Sequence, residues 1–175
     1  MRVARILLSM AIAACIFGCN DGDYVVEPTN STGACGPLRS QLTIQDRMSQ
    51  PSSVFSVGEP IRFSLSIANN SPEIVRLAPA ACAPVRYEVF DFAKRSVWDS
   101  ESGRVCIAMV VLVVFQPYEQ RTFDATWDQV ATGVVEPPGA YTAHANAGNF
   151  ILDANLATQL DCKNTLNTSA PFRIQ

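Results

Sequence analysis

The chain has 175 residues, a hydrophobic fraction of 48%, a charged fraction of 17% and a formal net charge of −3. That length suggests one domain with or without a tail, and the apolar content excludes disorder for most of it. The acidic balance excludes a nucleic-acid footprint, which needs clustered basic surface, and a single histidine, His144, excludes a multi-histidine metal site.

At the start, Arg2 and Arg5 precede an apolar run from Ile6 to Gly18, which ends at Cys19 and turns polar at once. A charged start and a short apolar core form the pattern of a secretory signal. The run is shorter than the roughly 20 residues that a membrane-spanning helix needs. The Gly18–Cys19 junction resembles the lipobox of bacterial lipoproteins, in which the cysteine is acylated and becomes the new N-terminus. Residues 1–18 therefore read as a lipoprotein signal peptide and Cys19 as the lipidation site. Cys15 competes for that role, and a plain secretory cut near Ala14 or Gly18 is the alternative. The expectation is an exported protein, anchored to the bacterial cell envelope by its N-terminal lipid. A multiply acylated cysteine buries enough methylenes to hold it there. Residues 19–36 are rich in Asp, Asn, Ser, Thr and Gly and read as a flexible tether. An ordered arm with Tyr24–Val26 as a short edge strand is the other reading.

Residues 37–175 read as one domain of short strands. Leu38 to Gln45 is the first. Ile61, Phe63, Leu65 and Ile67 alternate with polar or small residues, as in a strand with one buried face. Asn69-Asn70-Ser71-Pro72 is a turn. Ile74–Leu77, Val85–Phe90 and Ser96–Trp98 follow as strands, with turns at Asp91–Arg95 and Ser100–Gly103. Ile107–Phe115 is continuously apolar and β-branched, as in a buried strand or strand pair. Gln116-Pro117-Tyr118-Glu119 breaks that run. Phe123, Ala125 and Trp127 then share a face, as do Tyr141, Ala143 and Ala145 after the Pro137-Pro138-Gly139 turn. Residues 148–168 carry the weakest pattern, with Asn155–Leu160 read as a helical turn or a loop. Ala170–Ile174 closes the domain. About seven to nine short strands at this spacing predict an all-β, antiparallel β-sandwich.

Three ordered segments resemble the BsuPI family, the intracellular proteinase inhibitor domain of bacteria. They are Phe63–Ser71, a strand ending in an Asn-rich turn; Tyr87–Asp91 leading to Val97-Trp98; and Gln116–Glu119 with Phe123–Trp127 and Pro138–Thr142. The resemblance spans about residues 40–147. It implies an immunoglobulin-like sandwich and proteinase inhibition. Most of the matching residues have scaffold chemistry. Trp98 and Trp127 suit the edge of a core, where an indole N–H finds a partner. Tyr118, on a turn, has the better claim to exposure.

An even set of cysteines in an exported domain favours disulfides. Cys35, Cys82, Cys106 and Cys162 allow three pairings. In an immunoglobulin-like sandwich the first and last strands run side by side, so the expected bridges are Cys35–Cys162 and Cys82–Cys106. None of the four stands in a C-x-x-C spacing, which leaves a redox dithiol or zinc knuckle without support.

Chemistry-bearing motifs are sparse. No phosphate loop, metal-spaced cluster or dinucleotide fingerprint occurs in the sequence, so no cofactor, no metal and no catalytic residue is expected. The carboxylate pairs Asp124/Asp128 and Asp99/Glu101 read as solvated charge. The expected function is therefore protein binding, with a protease as the partner that the resemblance implies. The candidate contact residues are Arg95 and Arg104, as side chains entering a specificity pocket from their turns, and Tyr118. The alternative is a non-inhibitory envelope interaction or structural module that works through loops or strand addition.

Overall fold

The computed structural model describes residues 31–78, 83–105, 112–148, 150–155, 157–162 and 164–175. The signal, the Cys19 lipidation site, the Cys82–Cys106 pairing and most of the 107–115 run lie outside the described residues.

The described chain is built of strands β1 to β15 and turns. One sheet has the order β1-β2-β4-β9, from β1 (Ser31–Cys35), β2 (Leu38–Gln45), β4 (Ile61–Asn69) and β9 (Gln120–Trp127). The facing sheet has the order β3-β15-β12-β6-β7, from β3 (Val54–Phe55), β6 (Arg86–Asp91), β7 (Ser96–Asp99), β12 (Gly139–Asn146) and β15 (Thr168–Ile174). A smaller sheet, β14-β13-β5-β8, joins β5 (Val75–Ala78), β8 (Val113–Phe115), β13 (Phe150–Leu152) and β14 (Thr158–Asp161). A hairpin of β10 (Val130–Ala131) and β11 (Val134–Val135) follows β9. Pairing is antiparallel except for β3 with β15. The fold is an all-β sandwich.

Period-two patterning explains why the two large sheets stack. In β4, Ile61, Phe63, Leu65 and Ile67 are fully buried, while Arg62, Ser64, Ser66 and Ala68 lie on the outer face. β12 does the same with Tyr141, Ala143 and Ala145. Aromatic rings from both sheets meet between them. Phe63 faces Phe172 at 6.0 Å, and Trp127 faces Tyr141 edge-on at the same distance. Trp127 is completely buried, deeper than the core-edge position expected, and its indole N–H donates to the Val130 carbonyl. Trp98 is half-buried and stacks on Trp127 at 6.3 Å.

Two sequence expectations change. The stretch read as tether ends in β1, which pairs along its length with β2. Gly33 within β1 is needed for a close approach rather than for flexibility. A Cβ on Gly33 would stand 2.6 Å from Ser40 Oγ and 2.8 Å from the Thr165 carbonyl. The segment read as a helical turn or loop over Asn155–Leu160 is in part a strand, because Thr158–Leu160 falls in β14 and pairs with β13. All of β14 is exposed, so no apolar alternation marks it, and backbone pairing alone makes it a strand. The expected Cys35–Cys162 bridge is present, with a Cα–Cα distance of 5.5 Å. It ties β1 to the segment before β15.

Candidate functional site

The end of β4 organises the most distinctive turn of the molecule. Asn69 is 1% exposed. Its side-chain amide N–H groups donate to the carbonyls of Glu73 (2.7 Å) and Gln116 (3.0 Å). Its amide oxygen accepts from the Ser71 N–H and hydroxyl. An asparagine has two donor hydrogens and two acceptor positions, and each is used. One buried side chain thus ties the β4–β5 loop to the Gln116–Glu119 turn.

That turn is closed on itself as well. The Glu119 carboxylate accepts from the Gln116 N–H at 2.6 Å and from Arg121 Nε at 2.7 Å. The Arg121 bond, followed by the backbone bond, holds the Glu119 carboxyl below its usual range. Arg121 in turn lies over the Phe115 ring at 5.7 Å. Pro117 and Tyr118 form the apex. Tyr118 has φ 58°, a position in a Pro-initiated turn that glycine or asparagine normally fills. Its N–H donates to the Ser71 carbonyl, and its side chain is 70% exposed. A large aromatic group is therefore held outward on a fixed backbone. Strained backbone of this kind costs of order 1–3 kcal/mol and concentrates at contact sites.

The other two expected contact residues behave differently. Arg95 does not project freely from the Asp91–Arg95 turn. Its Nε and one terminal nitrogen both lie 2.7 Å from Asp91 Oδ2, and its own N–H reaches Asp91 Oδ1. These bonds hold the Asp91 carboxyl below its ordinary range. Arg95 therefore locks the hairpin, and the side chains displayed at its tip are Phe92, 84% exposed, and Lys94, at φ 62°. Phe92 borders a groove of about 310 Å³ with Ala140, Thr142, Pro171 and Arg173 on the outer face of the sheet. Arg104 is exposed, and its N–H closes a turn onto the Glu101 carbonyl. Glu101 is engaged at the Ala83 N–H. Asp99 is bonded by Arg86 through both carboxylate oxygens.

The structure does not gather these residues into one patch. Asp91 pairs with Tyr141 at one end of β6, whereas Ser100 bonds Tyr87 near the other. Arg95 and Arg104 thus stand beyond opposite ends of the same strand. The carboxylates read as solvated are mostly engaged. At Asp124 burial opposes ionisation, but Arg62 and Ser64 outweigh it and keep the carboxyl below its usual range. His144 lies on the face opposite Ala143 and Ala145, edge-on to Phe90 at 5.0 Å. Among the described residues no cluster of His, Cys, Asp and Glu is arranged to hold a metal ion.

Sequence reasoning missed two buried polar side chains that fix loops. Asn69 was legible only as part of a turn. Gln129 is fully buried, donates to the Ser56 and Glu59 carbonyls and accepts from the Gly58 N–H, clamping the β3–β4 connection. In the sequence it is the second of two polar residues after Trp127, beside Asp128, and no periodicity distinguishes it from a surface glutamine.

A protein-family profile described as BsuPI, intracellular proteinase inhibitor, matches residues 49–158. None of the curated proteins matches the chain. Among solved structures, the chain is similar to the C-terminal domain of wzt, with 12% identity, TM-score 0.45, and coverage of 85% of this chain and 80% of that one. A CARDB domain from Pyrococcus furiosus in complex with di-metal ions is similar at 11% identity and TM-score 0.37, covering 78% of this chain and 89% of that one. A beta-glucosidase from Listeria innocua is similar at 13% identity and TM-score 0.39, over 77% of this chain and 16% of that one.

Proposed function

Because the chain belongs to the BsuPI family of intracellular proteinase inhibitors, we propose that it is a protein-binding domain that blocks a proteinase at the cell envelope. The Gln116–Glu119 turn makes the contact, and Tyr118 is the anchor. One observation carries this reading: an exposed tyrosine at φ 58° on a turn whose position the buried Asn69 fixes. A rigid aromatic group loses little conformational freedom on binding, which is the economy that binding hot spots exploit.

Anchoring through acylated Cys19 is part of the same proposal. The charged start, the short apolar run and the Gly18–Cys19 junction support it. The Cys35–Cys162 bridge is in keeping with an oxidising compartment outside the cytoplasm.

Titration of the purified protein into serine, cysteine and metallo-proteinases tests the function. Inhibition of at least one, weakened when Tyr118 is replaced by alanine, supports it. Binding to an envelope protein with no effect on any proteinase favours the non-inhibitory interaction module instead.

A further inference from the structure

Among the described residues, the long edge strand β9 has one unpaired side. The Asn69 N–H donates to the Glu119 carbonyl across the β4–β9 ladder. In an antiparallel pair this phase alternates. Arg121, Phe123, Ala125 and Trp127 therefore direct their backbone groups to β4, and Gln120, Thr122, Asp124 and Thr126 direct theirs outward. Among the described residues no strand pairs with that outer edge. The strand carries neither proline nor lysine, two residues that commonly blunt exposed edges. Its outer-face side chains are also tied back, Asp124 to Arg62 and Gln120 to Ser66.

The same flank exposes apolar surface. Phe123 and Ala125 from β9, and Val97 and Trp98 from the facing edge strand β7, are only partly buried against the core. Open backbone groups beside a partly covered apolar strip describe a surface that another strand completes.

We propose that a second copy of this chain fills it, β9 pairing antiparallel with its symmetry mate about a two-fold axis at Phe123. The outward-facing residues run from 120 to 126, and Phe123 is their midpoint. In this register Thr122 opposes Asp124 of the other copy, and Gln120 opposes Thr126. Hydroxyl and amide side chains thus face each other or a carboxylate, and no like charges are opposed. A register centred on Asp124 would set two carboxylates against each other, which destabilises a sheet. At the centre, Phe123 meets Phe123 in a non-hydrogen-bonded pair, where side chains come closest. The two four-stranded sheets then run as one continuous sheet, and the interface is isologous. This inference is independent of the inhibitor reading.

Sedimentation equilibrium of the purified full chain in density-matched detergent is the test. The wild type sediments at twice the chain mass. Thr122→Pro removes an outward-facing N–H without touching the ladder to β4, and it halves that mass while the circular dichroism stays β. Phe123→Cys, on mild oxidation, yields a disulfide-linked dimer whose peptide map joins residue 123 to residue 123. A wild-type monomer over the whole concentration range overturns the proposal, whether or not the edge takes a strand from another protein. So does a Thr122→Pro dimer, or a cross-linked dimer that excludes position 123.

Discussion

The Tyr87 hydroxyl, rising from β6, donates a 2.6 Å hydrogen bond to the Phe123 carbonyl in the opposite sheet, and accepts one from the Leu65 N–H. One phenol therefore reaches across the sandwich into the ladder between β4 and β9. The ring is stacked on Phe63 at 6.1 Å and is 2% exposed. Sheet stacking and edge-strand position are coupled at this residue.

Tyr87→Phe should keep the packing and lose both bonds. The expected destabilisation is about 1–3 kcal/mol, the range for leaving a buried polar group without its partner. The urea midpoint falls, and the slope of the unfolding curve stays as in wild type.

Burial pushes the Tyr87 phenol well above its ordinary value of 10.0, against the Leu65 bond, which lowers it. Burial followed by the Glu136 charge pushes Tyr141 up to about 12. Both groups have folded values above their unfolded ones, so the stability they confer is complete below about pH 10 and is lost as pH rises beyond it. Denaturation curves between about pH 9 and 12 should show falling stability in wild type. Tyr87→Phe should fall less steeply, with Tyr141 supplying what remains.

Asn69→Ala removes four bonds, three within the β4–β5 loop and one that joins it to the Gln116–Glu119 turn. A loss of about 2 kcal/mol or more is expected, since each hydrogen bond contributes about 0.5–1.5 kcal/mol net. The same variant should raise proteolytic sensitivity at the Gln116–Glu119 turn, read by limited digestion and mass spectrometry.

Reduction of Cys35–Cys162, or Cys162→Ser, opens a loop whose ends are 127 residues apart. Chain entropy places the upper limit of the loss at roughly 5 kcal/mol. The melting temperature should drop on adding a reductant, and Cys162→Ser should show no further drop.

Cys19→Ser tests the anchor. The variant should move to the soluble fraction or accumulate as an uncleaved precursor. A variant that matures and partitions into detergent like wild type contradicts acylation at Cys19.

Much of the sandwich was readable in advance because each central strand buries one face. Ile61–Ile67 and Tyr141–Ala145 carry a strict period of two, and the structure buries those residues. The Cys35–Cys162 bridge followed from the meeting of the chain ends. Elements held by backbone pairing alone left no such trace. β14 is exposed throughout, and β3, β10 and β11 are two residues each. The exposure of Tyr118 was legible because a proline turn interrupts an apolar run. The pairing of Arg95 with Asp91, four residues earlier in the same turn, was not legible. An i, i+4 acid–base pair across a hairpin tip looks in sequence like two solvated charges. Asn69 and Gln129 act through buried hydrogen bonds to backbone carbonyls, which composition and periodicity do not encode.

Tyr118→Gly tests the central claim most directly, because glycine adopts φ 58° without strain. The substitution removes the aromatic anchor and leaves the turn intact. Inhibition constants of wild type and variant are compared on the proteinase that wild type inhibits. The variant should fold with equal or slightly higher stability, by up to about 1 kcal/mol. It should bind about 30-fold more weakly, the loss of a 2 kcal/mol hot spot. Equal inhibition by both proteins, or inhibition of no proteinase by wild type, would contradict the account.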